Sequence, residues 1–496
     1  MRKGIGRVKR IMAAIMAAGV VASSLSGCQY ESFDDYLEAL GLKDPKLDNP
    51  VSTTDSTYLV PETVIETGDT AYEVSDQAAS SETTVVAEVE AGAEETSKEA
   101  SSSDSSLDAS SGKSSAVQEQ KQQSPGITLS KASDDEDEKV RESIGLSPVG
   151  IETIKKSQEG LYAYERLTEA GKTLYVELLT IMQNLAADVI VSTTSDDAIE
   201  QVFDYVMADH PEIFYVDGYH YTNYTIDNVI TKISFTGNYT CSKEQAEAKK
   251  VQINEAVNRC LANAPSSEDD YYAIKYIYDY LITNTEYDIE APDNQNICSV
   301  FLNGRSVCNG YAKAAQLLLN KLGIDCTLVT GTVDTKNSKG VRHAWNLVKC
   351  NNAYYYVDVT WGDSSYQTTN GESADATKLP AINYDYLNVT TSDIIRNHTI
   401  SDEIYMPNCS SMADNYYVRE DEYFTSAEMS LVKDLFDRRY NDGSNNVTMK
   451  CASQEVYDSM FAQLITDRKV FDYLQGDTAS VSYTTFADTK TIIFWL

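Results

Sequence analysis

Ser306-Val307-Cys308-Asn309-Gly310-Tyr311-Ala312-Lys313-Ala314, then His343-Ala344-Trp345-Asn346, then Tyr356-Val357-Asp358-Val359-Thr360-Trp361: these three pieces lie within residues 298–362, and their reading decides the fold. The first piece opens a helix. Ala312, Ala315, Leu318, Leu319 and Leu322 recur at helical spacing, and Gly323 follows at the position where a left-handed C′ residue ends a helix. Cys308 therefore falls at or just before the first turn. There the unpaired backbone N–H groups and the positive end of the helix dipole favour a thiolate. The same N–H groups can stabilise an oxyanion growing on a substrate carbonyl.

The other two pieces read as strands. Thr327–Val333 is rich in β-branched residues and follows the helix. His343 begins the next strand, with Trp345, Leu347 and Lys349 on one side and Asn346 and Val348 on the other. Asn351-Asn352 makes a turn, and residues 354–360 return antiparallel. A turn centred near residue 351 places a partner for His343 around residues 358–360, where Asp358 falls. The imidazole can then take the Cys308 proton while Asp358 fixes its tautomer and orientation.

The order Cys, His, Asp, with C-N-G-Y-A-K-A, L-G-I, H-A-W-N and V-D-V-T-W, resembles the transglutaminase-like superfamily of papain-type thiol enzymes. The resemblance implies an α+β core: a central helix with Cys at its N-terminus, packed on a small antiparallel sheet that carries the His and Asp. It assigns Cys308 as nucleophile, His343 as general base and acid, and Asp358 as the orienting carboxylate. Upstream of the Cys, Gln295 and Asn303 are candidates for the oxyanion partner. Trp345 and Trp361 fit a substrate acyl pocket and fit core packing around the triad equally well. A zinc site from Cys298, Cys308, Cys326, His343 and Cys350 is disfavoured, because no C-x-x-C or H-x₃-H pair occurs. No calcium-loop pattern lies near the triad. The expected cofactor set is empty.

Outward from this segment, residues 146–265 read as an α+β N-terminal domain. Leu174, Leu178, Ile181, Met182 and Leu185 share a helical face, and Ser195 caps a helix burying Ile199, Val202, Phe203 and Val206. His210-Pro211 ends that helix. Residues 213–216, 219–224 and 229–235 read as strands, and residues 243–263 as a helix. His210 and His220 have no ligand-spaced partners and read as structural. The tyrosines of residues 215–239 read as half-buried strand packing. The catalytic domain is placed at residues 266–410, its first helix capped by Ser267 with Asp270 at capping-box spacing. Residues 364–380 read as a polar loop, and a structured stretch from Tyr384 to Leu387 borders the site. Residues 411–496 form a small α+β accessory unit, with helices through Met429–Phe436 and Val456–Leu464 and strands at residues 447–452, 481–485 and 491–495.

Charge divides the chain. Its 496 residues hold 76 acids and 40 bases, a net charge of −36. Residues 29–145 alone hold 27 acids against 8 bases, although they are a third as long as the part that follows. Such a polyanion has no electrostatic attraction for nucleic acid. Residues 1–27 combine five bases with an apolar run from Ile11 to Val21, an n-region and h-region too short to span a bilayer. Leu25-Ser26-Gly27-Cys28 resembles a bacterial lipobox, which implies acylation of Cys28 and anchoring at the outer face of the cell membrane. Residues 28–145 then read as lipid anchor and tether, with the acid cluster Asp134–Glu138 as solvating charge. Cys28 is the anchor and Cys308 the nucleophile, while the pairing of the other seven cysteines is not fixed by sequence.

The expected function is that of an extracytoplasmic, membrane-anchored thiol enzyme. It would act on protein or peptide amide bonds through a Cys308 thioester, with water as the favoured acceptor. Acyl transfer to an amine, which cross-links proteins, is the alternative reaction. A non-catalytic cell-surface binding protein that retains the fold is the alternative class.

Overall fold

The computed structural model describes residues 84–90, 131–226, 229–266, 268–334, 339–363, 380–476, 480–487 and 489–496. The signal, Cys28 and most of the tether lie outside the described residues, as does Ser267. The architecture is α+β.

The N-terminal part packs helices Pro148–Ser157, Glu169–Gln183 and Asp196–Asp209 against a three-stranded antiparallel sheet. The sheet's central strand, Val229–Tyr239, lies between Val189–Val191 and Val216–Ile226. Ser195 caps its helix by accepting from the Ala198 N–H, and His210 ends it. Residues 213–215 are not a strand. Pro211 stops the helix, and the Ile213 N–H bonds back to the His210 carbonyl in a turn, so extended structure begins only at Val216. Leu185 lies past its helix, in the left-handed region.

Structure also reaches into the segment read as tether. Lys131–Ser143 is a helix, docked by Arg141 on Glu177 (2.6 Å) and by Asp137 on Lys232 (2.8 Å). Within the acid cluster, Asp135, Glu136 and Glu138 are exposed on this helix, and Asp137 carries the tertiary ion pair. Thr84–Glu90 pairs antiparallel with Ser480–Phe486.

The central part begins with helix α1, Asp270–Asn284, capped by Asp269, one residue before the capping-box acid and two after Ser267. Helix α2, Cys308–Lys321, runs through the middle and is buried along most of its length. Behind it lies a four-stranded antiparallel sheet of strands β1 (Cys326–Val333), β2 (Val341–Cys350), β3 (Ala353–Val357) and β4 (His398–Ile400), in the order β4-β1-β2-β3. Asn351, at φ 53°, makes the β2–β3 turn.

One continuous apolar core runs from Leu146 to Tyr417. The boundary placed between residues 265 and 266 therefore does not divide the packing. Gln316 of α2 donates to the Ala208 carbonyl (2.6 Å), and Tyr205 donates to the Glu403 carbonyl (3.1 Å). The second core begins at Phe424 rather than at residue 411, because Tyr416 and Tyr417 pack inward on the first. It lies between helices Met429–Asn441 and Gln454–Phe461 and a sheet of Ser480–Phe486, Thr491–Trp495, Asn446–Cys451 and Tyr423–Phe424.

Candidate active site

Cys308 is the first residue of α2. Val307 precedes it in extended geometry, and no side chain caps the helix. The first-turn N–H groups therefore have no capping side chain, and they lie beside the thiol. Gly310 permits this packing: a Cβ there would lie 2.0 Å from Ser306 Oγ and 2.9 Å from the Asn294 carbonyl oxygen. Of the two oxyanion candidates, Gln295 sits beside the helix start and accepts from Asn309 Nδ2 (3.4 Å). Asn303 is exposed, and its amide donates to the Pro292 carbonyl.

His343 lies on β2, and its ring hydrogen-bonds Cys308. Nε2 of the ring is 2.6 Å from Asp358 Oδ2, so Nδ1 is the nitrogen left for the thiol. The strand expected over residues 354–360 stops at Val357. By the Asn346–Val357 register, His343 would face residue 360, but Asp358 leaves the sheet and caps the short helix Val359–Gly362 instead. Its Oδ1 accepts from the backbone N–H groups of Thr360 (2.9 Å) and Trp361 (3.1 Å), which fixes the carboxylate. Its own N–H donates to the Tyr386 carbonyl (3.0 Å), so the stretch after residue 380 borders the site as expected.

All three side chains are buried: Cys308 and Asp358 have no exposed surface, and His343 is 1% exposed. Burial opposes a charge on His343, but the Asp358 carboxylate and Cys308 outweigh it and push the ring up to about 10. Burial alone would raise Asp358. The two imidazoles that face it, His343 and His398, hold it well below the usual carboxylate range. The site thus favours the imidazolium that forms when the ring, held by the carboxylate at Nε2, takes a proton at Nδ1. Trp345 stacks on the His343 ring (5.8 Å between centroids, 21° between planes) and Trp361 meets it edge-on (6.4 Å). Both indoles are buried in the packing around the imidazoles.

Sequence reasoning missed His398. It lies on β4, and its Nε2 is 2.9 Å from the same Asp358 oxygen that His343 uses. The available signal was the shortage of histidine. Only four occur, and His210 is occupied by Glu212 (2.7 Å) and Gln158 (2.9 Å), His220 by Asn238 (3.1 Å).

The side-chain donors of His343, Asp358 and His398 lie within 4.8 Å of one another, and His₂Asp is a known metal-binding set. Their spacing argues otherwise. Ligands on a tetrahedral zinc with bonds of about 2.0–2.1 Å stand about 3.3 Å apart. Here each nitrogen is closer to the oxygen than that, at a hydrogen-bond distance with a proton between them. The residues present do not fit a metal in this arrangement. Among the described residues the cysteines are free thiols, none paired as a disulfide.

A thiol at the start of a buried helix, over a small antiparallel sheet carrying an imidazole and a carboxylate, defines the papain-like class of fold. Residues 259–359 match the transglutaminase-like superfamily, and this segment belongs to it. Kyphoscoliosis peptidase of the mouse, Mus musculus, is 24% identical over 140 residues, covering 26% of this chain and 21% of that protein. The chain thus spans about a fifth of the length of this curated relative. Among solved structures, a crystal structure of a TGase overlaps 29% of this chain and 44% of that one at 19% identity, with a TM-score of 0.21. Menin overlaps 48% and 49% at 15% identity, with a TM-score of 0.19. Structural overlaps this small say nothing of activity. The family and the curated relative support a thiol enzyme of this kind.

Proposed function

We propose that the protein hydrolyses amide bonds of proteins or peptides through Cys308, His343 and Asp358, at the outer face of the cell membrane to which an acylated Cys28 holds it. The observation that carries the reaction is the imidazole whose Nε2 is locked on Asp358 at 2.6 Å while its other nitrogen is turned to a helix-start thiol. The anchor rests on the sequence of residues 1–28.

The Cys308 proton passes to Nδ1 of His343, and the sulfur attacks the amide carbonyl carbon. The carbonyl electron pair moves to oxygen, and first-turn N–H groups of α2 and the Gln295 amide donate to it. Collapse of this intermediate breaks the C–N bond, and the leaving amine takes the Nδ1 proton. Water, deprotonated by the now neutral ring, attacks the thioester. The acid leaves, and the thiol is restored. Asp358 stays ionised throughout and balances the imidazolium. Because Cys308 has no exposed surface, part of its cover must move before a substrate reaches the sulfur. The name of the mouse relative, a peptidase, favours water over an amine as acceptor.

Iodoacetamide labelling at neutral pH tests the site, with the partly exposed Cys241 as the internal control. Cys308 should label faster than Cys241, and His343→Ala should slow Cys308 alone. Equal reactivity of all thiols would sink the enzyme reading. Incubation with surface-protein extract and a fluorescent amine tests the acceptor. Label that appears on proteins, and disappears with Cys308→Ala, would replace hydrolysis by cross-linking.

A further inference from the structure

His343 and His398 straddle β1. His398 pairs with Val333 and Ile400 with Gly331, while on the other side of β1 His343 pairs with Gly331. Alternation along the strands puts both imidazoles on one face of the sheet. Gly331 lets them close in. A Cβ there would lie 2.0 Å from the Thr399 carbonyl oxygen and 2.8 Å from the Trp345 ring. The two imidazole centroids are 5.4 Å apart.

Around His398 stand Trp345, Trp361 and Tyr386, with centroids at 4.9, 5.3 and 5.9 Å. The residue is 2% exposed. In such a place an apolar ring would pack without leaving N–H groups to satisfy, and a histidine is costly unless both nitrogens are bonded. Both are. Nε2 is on Asp358 (2.9 Å), and Nδ1 is 2.7 Å from the Asn397 amide, whose other end is 2.8 Å from the Tyr386 hydroxyl. Burial holds His398 down at about 4, so the ring is neutral. A neutral ring that donates through Nε2 must accept at Nδ1. The structure sets Asn397 Oδ1 against Nδ1 and lets its Nδ2 donate to the Tyr386 hydroxyl; a neutral ring that donates through Nε2 requires these two amide ends to be exchanged, so that the NH₂ faces the ring and the carbonyl oxygen takes the tyrosine proton.

The carboxylate supplies the decisive count. It offers about four lone-pair sites, and four N–H donors fill them: Thr360 and Trp361 on Oδ1, His343 and His398 on Oδ2. We propose that His398 is a positioning residue, which completes the hydrogen-bond shell of Asp358 and so keeps the carboxylate ionised and aimed at His343. This rests on the reading of Cys308 and His343 as nucleophile and base. Other titratable or charged groups that act on the cluster are Tyr278 from α1, Cys308 from α2, and Arg396 and Tyr386 from the segment leading to β4.

Loss of the second donor makes the carboxylate more basic. It then takes up a proton at higher pH, and while ionised it holds the imidazolium to higher pH. Both limbs of the pH profile for Cys308 alkylation by iodoacetamide should shift upward in His398→Phe, the acid limb by about one unit or more. His398→Gln, which retains an N–H near Nε2, should keep the limbs within a few tenths of a unit of wild type. Limbs unmoved in His398→Phe, with only a lower Tm, would make His398 a packing residue and overturn the proposal.

Ring ¹⁵N shifts of the histidine-labelled wild-type protein give a readout that needs neither a folded variant nor a reactive thiol. They should show His398 neutral with its proton on Nε2. A proton on Nδ1 would overturn the proposal. If Cys308 labels no faster than Cys241 while the ring shifts are as expected, the enzyme reading falls and the hydrogen-bond shell of Asp358 stands.

Discussion

The central sheet and the C-terminal sheet are both packed under helices, but they fill their interiors differently. The C-terminal core is built on Phe424, Val432, Leu435, Phe436, Val447, Met449, Met460, Leu464, Ile492 and Phe494, together with Cys451, Tyr457 and Tyr483, and the buried carboxylates beside it are matched one to one with cations, Glu422 with Arg439 and Asp385 with Lys450. The central core holds two imidazoles and a carboxylate within the same packing as Trp345, Trp361 and Val329. Buried ionisable groups destabilise a fold unless they are paired and hydrogen-bonded. The first core therefore rests on apolar packing with its carboxylates neutralised by Arg439 and Lys450, and the second keeps two imidazoles around one carboxylate in a dry place where electrostatic interactions are strong.

The largest effect that sharpens this contrast comes from removing the thiol. Cys308→Ala should lower amide hydrolysis by about 10⁴-fold or more and leave Tm close to wild type, measured by peptide turnover and calorimetry. Asp358→Asn should cost about 10³–10⁴-fold in activity, since the amide cannot balance the imidazolium. It should also lower stability, because His343 and His398 each lose an ionised acceptor in the core. The contrast breaks if this variant is as stable as wild type.

Phe436→Ala should destabilise by about 3–5 kcal/mol, read by urea unfolding, and leave the pH profile of Cys308 alkylation in place wherever the protein is folded. A shift in that profile would show that the two cores are coupled. Gly331→Ala should cost about 1–3 kcal/mol, because the Thr399 carbonyl and the Trp345 ring must give way, and should slow Cys308 alkylation by parting the two imidazoles.

The smallest effect is the shape of stability against pH. His398 is held below its unfolded value of about 6.5, so its contribution is present above that pH and is lost as pH falls through about 4. His343 is held up to about 10, so its contribution is full below about 6.5 and is lost as pH rises through about 10. Asp358 is held below its unfolded value of about 3.9, so its contribution is present above that pH and lost only in stronger acid. Tm should fall on both sides of neutrality. His398→Phe should flatten the fall between about pH 6.5 and 4, whereas Phe436→Ala should lower the whole curve without changing its shape.

Sequence made α2, β1 and β2 legible to within a residue or two, because helical spacing, the β-branched run and Gly323 agree with one another. The strands and helices of the C-terminal unit were legible for the same reason. Asp358 was located by counting from a turn, although the strand ends at Val357 and the carboxylate reaches His343 from a helix cap. Local pattern could not place His398. It stands 40 residues beyond Asp358 on a three-residue strand, and its partners are set by pairing with β1 across the sheet. The helix Lys131–Ser143 was hidden by its composition. Five consecutive acids read as solvated chain, and what holds the helix is tertiary, through Arg141 and Asp137.

The short strand β4 bears on how this protein can be cut. The family match ends at residue 359, a natural place to stop a recombinant fragment. A fragment ending there would strip one side of β1 of its neighbour and leave unpaired peptide groups that recruit other chains. It would carry the thiol, the imidazole and the carboxylate, and it would be expected to aggregate before any of them could be assayed.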